Sequence, residues 1–374
     1  MGSSSDKYRL RSLDTLRGLT VILMIVVNAS TVLNDYLGYQ AFGVLLHAKW
    51  AGFTLADAVF PCFIFMVGVS VAYALNKVVS SGNVTWQFQR GLLFRTLRLF
   101  ILGVILFNLD FILSFGESER GFRLLGVLQR IAVCFIVASL VYIYCKRQHI
   151  IFITFGLLSG YWLLLYIPRP DGIATELNLQ AANIVSWFDV TVLGSLIPKG
   201  MTYDPEGLLS TLPAIAQCLM GLLVGDYMQK QQEPSDTIQI LVVSSVLLVV
   251  VGILCSPNMP IVKPLWTPTY VMVSSGAALL ALVILYVVMD VWRKHIPGES
   301  FAISFGVNAI FVYGLHIVCM SFLAMPFLRN GIYQPLNDVG VMPQISTLVA
   351  TLLFVFLLWL PLLVMYKKRI IIKI

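Results

Sequence analysis

The stretch FTLADAVFPCFIFMVGVSVAYAL, Phe53 to Leu75, runs through 23 residues with one charged side chain, Asp57. At about 1.5 Å per helical residue it is long enough to cross the roughly 30 Å hydrocarbon core of a bilayer. Hydrocarbon offers no partner to a peptide N–H or C=O, so a crossing segment must satisfy its own backbone. The run is too long and too continuous for the alternating strands of a membrane barrel, which leaves a helix. Its single carboxylate stands at its mouth, ten residues after His47 in LLHAKWAGFTLADAVFP, Leu45 to Pro61. That placement poses the functional question, because an ionisable group at a membrane span is costly and usually put to use.

The rest of the chain repeats the pattern. Nine further apolar runs are read as spans: Leu16–Leu33, Leu92–Leu113, Leu124–Tyr144, Ile150–Ile167, Leu208–Met228, Ile238–Cys255, Tyr270–Met289, Phe301–Leu323 and Ile345–Met365. The 374 residues are 59% hydrophobic and 11% charged, against about 25% charged in a soluble domain. The expected architecture is an all-α integral membrane protein of about ten transmembrane helices, residues 1–374 forming a single transmembrane domain. Of the 25 Lys and Arg residues, 17 fall at one set of helix ends, among them Lys7, Arg9, Arg11, Lys77, Arg90, Lys146, Arg147 and Lys367. Eight, including Lys49, Arg120, Arg123 and Lys199, fall at the other. The positive-inside rule then puts both termini in the cytoplasm and the His47 loop outside. The net charge of +7 is accounted for by this topology, not by nucleic-acid binding. No cleavable signal peptide is expected before the first run.

One connection is long, residues 168–207 on the outer side. It carries Asp171, Glu176, Asp189, Asp204 and Glu206 with Trp187 and Tyr203, a mixture suited to a sugar or a cationic acceptor. The six cysteines sit in or beside apolar runs without a CxxC pair, and read as small buried hydrophobes. Four scattered histidines give no metal-ligand spacing, so no metal is expected.

The polar residues within the spans share a level. Asp14 and Arg17, three apart at the inner start of the first span, pair on one helix face. Asn28 lies fourteen residues further, roughly 21 Å up the same helix. Asn28, His47, Asp57, Gln129, Arg130 and His316 come from four spans and fall in one outer depth band, with Asn308 two turns deeper. A histidine is the ordinary general base near neutral pH. A carboxylate beside it holds its tautomer, and an asparagine amide can donate to a developing oxyanion. There is no GxSxG, and histidine can itself carry an acyl group. The residues alone give a polyspan protein with an acid–base site near its outer face.

Five stretches resemble the heparan-α-glucosaminide N-acetyltransferase family of transmembrane acetyltransferases, in its bacterial branch. They are RLRSLDTLRGLTVILMIVVN (Arg9–Asn28), HAKWAGFTLADAVFPCFIFMVGVS (His47–Ser70), GVLQRIAV (Gly126–Val133), YDPEGLLSTLPAI (Tyr203–Ile215) and NAIFVYGLHIV (Asn308–Val318), in order over most of the chain. The resemblance implies transfer of acetyl from cytoplasmic acetyl-CoA to a glucosamine-type amine across a bacterial plasma membrane. It also implies catalytic roles for His47, Asn28 and Asp57. Gln129, Arg130, Asp204, Glu206, Asn308 and His316 are then assigned to the acceptor. Asp14, Arg17, Arg95 and Arg98 are assigned to the donor, with Arg9, Arg11, Lys77 and Arg90 as further partners for its phosphates. Lysosomal members carry an additional luminal domain and leading span ahead of the first motif. This chain opens almost at that motif, so a free amino sugar, a chitin-derived oligosaccharide or an envelope glycan is the expected acceptor. The competing readings are an O-acyltransferase of envelope glycans and, in another class, a secondary sugar transporter using His and Asp as a proton relay. A homodimer would draw on small residues of the peripheral spans, although no motif marks a face.

Overall fold

The structure, a computed structural model, describes residues 10–35, 38–116, 121–231, 233–320 and 325–372. Lys7, Arg9, Arg120 and residues 321–323 of the ninth apolar run lie outside these. The described residues are overwhelmingly helical: α1 Arg11–Asp35, α2 Leu55–Ser80, α3 Trp86–Phe107, α4 Leu109–Leu113, α5 Val127–Tyr144, α6 Arg147–Leu164, α7 Ile184–Leu193, α8 Thr211–Lys230, α9 Pro234–Cys255, α10 Pro268–Tyr286, α11 Glu299–Val307, α12 Ala309–Cys319, α13 Met325–Leu328, α14 Gln334–Asp338 and α15 Pro343–Lys367.

Among the described residues, seven helices are long and apolar enough to cross a membrane: α1, α2, α5, α8, α9, α10 with the π-turn that extends it, and α15. The pair α11 and α12, bent by 86° at Asn308, makes an eighth if counted as one broken span. The expected runs at Leu92–Leu113 and Ile150–Ile167 do form helices, α3 and α6, but α3 is too charged and α6 too weakly apolar to be counted with them. Arg90, Arg95 and Arg98 interrupt α3, and α6 opens on Arg147, Gln148 and His149. Among the described residues the count by length and apolarity is thus seven or eight, where the sequence reading expects ten.

The chain divides into two compact units. One comprises Met1–Ala48, Thr54–Val59 and Ala281–Ile374; the other comprises Lys49–Phe53 and Phe60–Leu280. In the first unit, α1 and α11 cross at glycine. A Cβ on Gly18 would lie 1.8 Å from the Ala302 carbonyl oxygen, and one on Gly306 2.1 Å from that of Asp14. Close backbone approach through small residues is how helices associate where lipid removes the hydrophobic drive. The N-terminus of α1 leaves amides with no partner in the helix. Asp290, in the π-turn Val287–Val291, caps them, accepting from Arg11 N and Ser12 N at 3.1 Å each. At the break between α11 and α12, the Asn308 side chain replaces helical bonds with longer-range ones. Its Nδ2 donates to the Ile370 carbonyl at 3.1 Å and its Oδ1 accepts from Ile372 N at 3.0 Å.

In the second unit, α2 and α8 meet by the same device. A Cβ on Gly68 would stand 1.8 Å from the Cys218 carbonyl oxygen, and one on Gly221 2.0 Å from that of Phe65. The long connection is folded, and Leu177, Ile184 and Val185 from it enter an apolar core shared with other segments of this unit. Trp50, Tyr161, Leu165, Leu177, Ile184, Val185, Met259, Val262 and Leu265 pack together. Trp50 Nε1 donates to the Leu177 carbonyl at 2.9 Å, and Tyr161 OH to that of Leu265 at 2.6 Å. Asn183 caps α7, accepting from Ser186 N at 2.8 Å.

Gly68→Val and Gly221→Val are each expected to cost about 3 kcal/mol or more, because backbone must move to admit the side chain. Gly156→Ala, where a Cβ meets nothing within 4 Å, is expected to be neutral or stabilising. Thermal unfolding of the detergent-solubilised variants measures both.

Candidate active site

Asp57 lies in the first turn of α2, and the segment TLAD explains its orientation. Its own N–H donates to the Thr54 carbonyl at 3.1 Å, and its Oδ2 accepts from Thr54 N at 3.2 Å, the return half of a capping box. Oδ2 also accepts from Ala48 N at 3.1 Å, while Oδ1 lies 2.9 Å from His47 Nδ1. Thr54 Oγ1 shares its proton between Asp57 Oδ2, at 3.0 Å, and the Leu46 carbonyl, at 2.9 Å. This many donors fill the lone-pair directions of an ionised carboxylate. The acceptor on the other side of the His47 contact is therefore Asp57, and the proton sits on Nδ1. Nε2 is left with its lone pair. Asp57 is 1% exposed at its side chain and His47 37%, so the dyad has a buried anchor and an open base.

A second pair lies in the same unit. Asn28 Nδ2 is 3.0 Å from His316 Nε2. Asn28 is half-buried on α1, and His316 is 2% exposed on α12, its ring edge-on to Tyr313 with centroids 5.2 Å apart. Val27, Leu23 and Met24 of α1 pack on Ala56 and Val59 of α2, so the residues next to Asn28 and to Asp57 touch. The expected pair Asp14–Arg17 forms at 3.1 Å, within α1. Asn308, expected near an acceptor, bonds instead to the backbone at Ile370 and Ile372.

The other sequence-derived candidates belong to the second unit. Gln129 and Arg130 are buried at the start of α5. Gln129 Nε2 donates to the Leu124 carbonyl at 3.0 Å. Arg130 Nη2 donates to the Gly207 carbonyl at 3.2 Å and to Ser210 Oγ, and its guanidinium lies 4.7 Å from the Trp266 ring centroid. Its Nε and Nη1 have no hydrogen-bond partner among the described residues. Trp266 holds a positive φ of 51°, and its indole N–H donates to Gln217 at 3.0 Å. Arg95 stacks on Phe135 at 4.8 Å, and Arg98 is exposed on α3.

Asp204 and Glu206 converge on Arg123, Asp204 at 3.0 Å and Glu206 closer still. Asn108 holds the Arg123 backbone from both sides, accepting from its N–H at 2.6 Å and donating to its carbonyl at 2.7 Å. Burial works against the Arg123 charge, but Glu206 and Asp204 outweigh it and raise its pKa. Burial also pushes Glu206 toward its neutral form, yet Arg123 and Arg130 pull it below the ordinary carboxylate range. At Asp204 burial prevails and the pKa rises. Asp189 is raised to about 7 by burial, with the Asp204 charge adding to it against amide bonds from Leu208 and Leu209. Its Oδ2 would stand 1.7 Å from a Cβ on Gly207, which accounts for the glycine of YDPEG.

Thr54, Arg123, Ser210 and Trp266 escape the sequence reading. The Thr-x-x-Asp spacing signals the first, and a buried Asp-x-Glu that needs a cation signals the second. Nothing local marks the other two.

The apolar spans, with a buried carboxylate holding an exposed imidazole, define a polytopic membrane protein equipped for acid–base chemistry. A family model described as heparan-alpha-glucosaminide N-acetyltransferase, catalytic, matches residues 9–252, and the chain belongs to that family. It is 27% identical over 98% of its length to the human heparan-alpha-glucosaminide N-acetyltransferase, and 28% over 99% to the mouse protein of that name. The chain spans about 60% of the length of these relatives.

Asp57→Asn puts an N–H where His47 Nδ1–H requires an acceptor. Where such a couple drives acyl transfer, the wrong tautomer lowers kcat on the order of 10³–10⁴-fold. Steady-state kinetics on folded variant, with KM little changed, checks this. Asp189 gives a second expectation. Its folded pKa lies above the ordinary 3.8, so the folded state holds the extra proton and stability falls as pH rises between about 4 and about 7. Asp189→Asn is expected to flatten that fall and to unfold at a higher temperature than wild type at pH 8, read by melting across pH.

Proposed function

We propose that the protein is a transmembrane N-acetyltransferase that moves acetyl from acetyl-CoA to the amine of a glucosamine-type sugar. The observation that carries this is the dyad: His47 Nδ1 lies 2.9 Å from Asp57, whose other bonds fix it, while the imidazole remains exposed. Family membership and the names of the relatives support the acetyl donor and the amino-sugar acceptor. In this reading the chain crosses a bacterial inner membrane ten times, with both termini inside. α3 and α6 are the two further spans, and the dyad faces outward. Acetyl-CoA is presented from the cytoplasm, with Arg17, Arg95 and Arg98 as charge partners for its phosphates and Asp14 orienting Arg17.

His47 Nε2 takes the proton as the amine nitrogen attacks the thioester carbonyl. The C–S bond breaks, and the leaving thiolate takes that proton from the His47 imidazolium to become the CoA thiol, which restores the neutral base. Asp57 stabilises the imidazolium, and the Asn28 amide is the oxyanion donor. Gln129, Arg130, Asp204 and Glu206 serve the acceptor. Of these, Arg130 brings two donor nitrogens, Nε and Nη1, with no partner among the described residues and suited to sugar oxygens, while Asp204 and Glu206 act through Arg123.

Proteoliposomes loaded with glucosamine and given radiolabelled acetyl-CoA outside test the reading. Label is expected on the sugar within, lost at least 100-fold in His47→Ala. Acceptance of N-acetylglucosamine in place of glucosamine would indicate a hydroxyl acceptor. Labelled-sugar counterflow without acetyl-CoA would replace the enzyme with a transporter.

A further inference from the structure

An amide side chain is ambiguous: turned by 180°, Asn28 exchanges a donor for an acceptor. An active-site asparagine is useful only if one orientation is fixed. On α1 the residue is half-buried, and its Nδ2 meets a single buried group, His316 Nε2, at 3.0 Å. An amide nitrogen only donates, so the facing imidazole nitrogen must accept. His316 is then neutral with its proton on Nδ1. That nitrogen is buried and has no hydrogen-bond partner among the described residues. The ring is pinned from its edge by Tyr313. At 2% exposure its ring is almost wholly withdrawn from solvent, in contrast to the open His47.

We propose that His316 is a positioning residue, which by accepting one Asn28 amide proton fixes the edge of that amide presented to the reacting groups. The proposal rests on the acetyltransferase reading. It moves His316 from contact with the acceptor to control of Asn28. Its place on the outer arm of the broken span makes the hold specific: α12 is a separate rod from α11, bent by 86°, and carries the imidazole to Asn28 at the far end of α1's apolar run.

Two measurements test this. In the first, His316→Ala, His316→Gln, Asn28→Ala and Asn28→Ala/His316→Ala are assayed in proteoliposomes, with thermal melting to confirm folding. Loss of kcat of about 10- to 100-fold with unchanged KM for acetyl-CoA is expected for His316→Ala, less than the roughly 10²–10³-fold that loss of an oxyanion donor itself costs, because Asn28 remains and only its hold is lost. Partial rescue is expected in His316→Gln, whose Oε1 can accept. The double variant is expected to be no slower than Asn28→Ala alone, since residues acting as a unit are not additive. Equal loss in both backgrounds, or full activity of His316→Ala, overturns the proposal while leaving the acetyltransferase standing.

The second measurement needs no activity. In protein carrying ¹⁵N-labelled histidine, the His316 resonances, assigned by their absence in His316→Gln, are expected to show a bare Nε2 and a protonated Nδ1, and to shift in Asn28→Ala. A protonated Nε2, or a spectrum untouched by Asn28→Ala, overturns the proposal even if no transfer to any amine is found.

Discussion

Hydrocarbon gives a peptide group nothing to bond with, and every local solution in this protein answers that constraint. Helices satisfy themselves along their length, so the difficulty gathers at their ends and breaks. Asp290 closes the start of α1, and Thr54 with Asp57 closes the start of α2. Asn308 closes the break between α11 and α12, eight residues before His316. The same medium removes the hydrophobic pull between helices. Backbone contact through Gly18 and Gly306, and through Gly68 and Gly221, takes its place.

The candidate site grows out of one of these closures. Asp57 is needed by the backbone at Thr54 and Ala48 whatever the protein does, and that need buries its carboxylate at a fixed angle. His47 then meets an acceptor that cannot rotate away. The second unit handles charge differently, by balance. Arg123 absorbs two carboxylates, Arg130 is shared between backbone, Ser210 and an aromatic face, and Asp189 shifts toward its neutral form.

Much of this was legible from residue order. Long apolar runs with few charges dictate helices, and the dyad lies within a ten-residue local frame, where chain geometry brings His47 and Asp57 together. Asp14 and Arg17 are readable for the same reason. Asn28 and His316 share a depth in the sequence, but their contact joins residues 288 apart, and only packing reveals it. Asn308 reads as a polar group in a span, as an acceptor ligand would, because nothing near it announces a broken helix that borrows bonds from far along the chain. Asp204 and Glu206 look like open acids in a loop. Their cation, 81 and 83 residues upstream, is invisible to any local pattern. The span count diverges at α3 and α6, where arginine and polar side chains dilute runs whose remaining residues are apolar.

The clasp at Asn308 has a consequence for biogenesis. Asn308 precedes its two partners by 62 and 64 residues, so it leaves the ribosome well ahead of them. During that interval α15 has yet to emerge, and the bend in the broken span has no one to hold it. The arm bearing His316 therefore acquires this support only after α15 has emerged. A nascent chain paused in α15 would lack that clasp and be a fair target for membrane quality control.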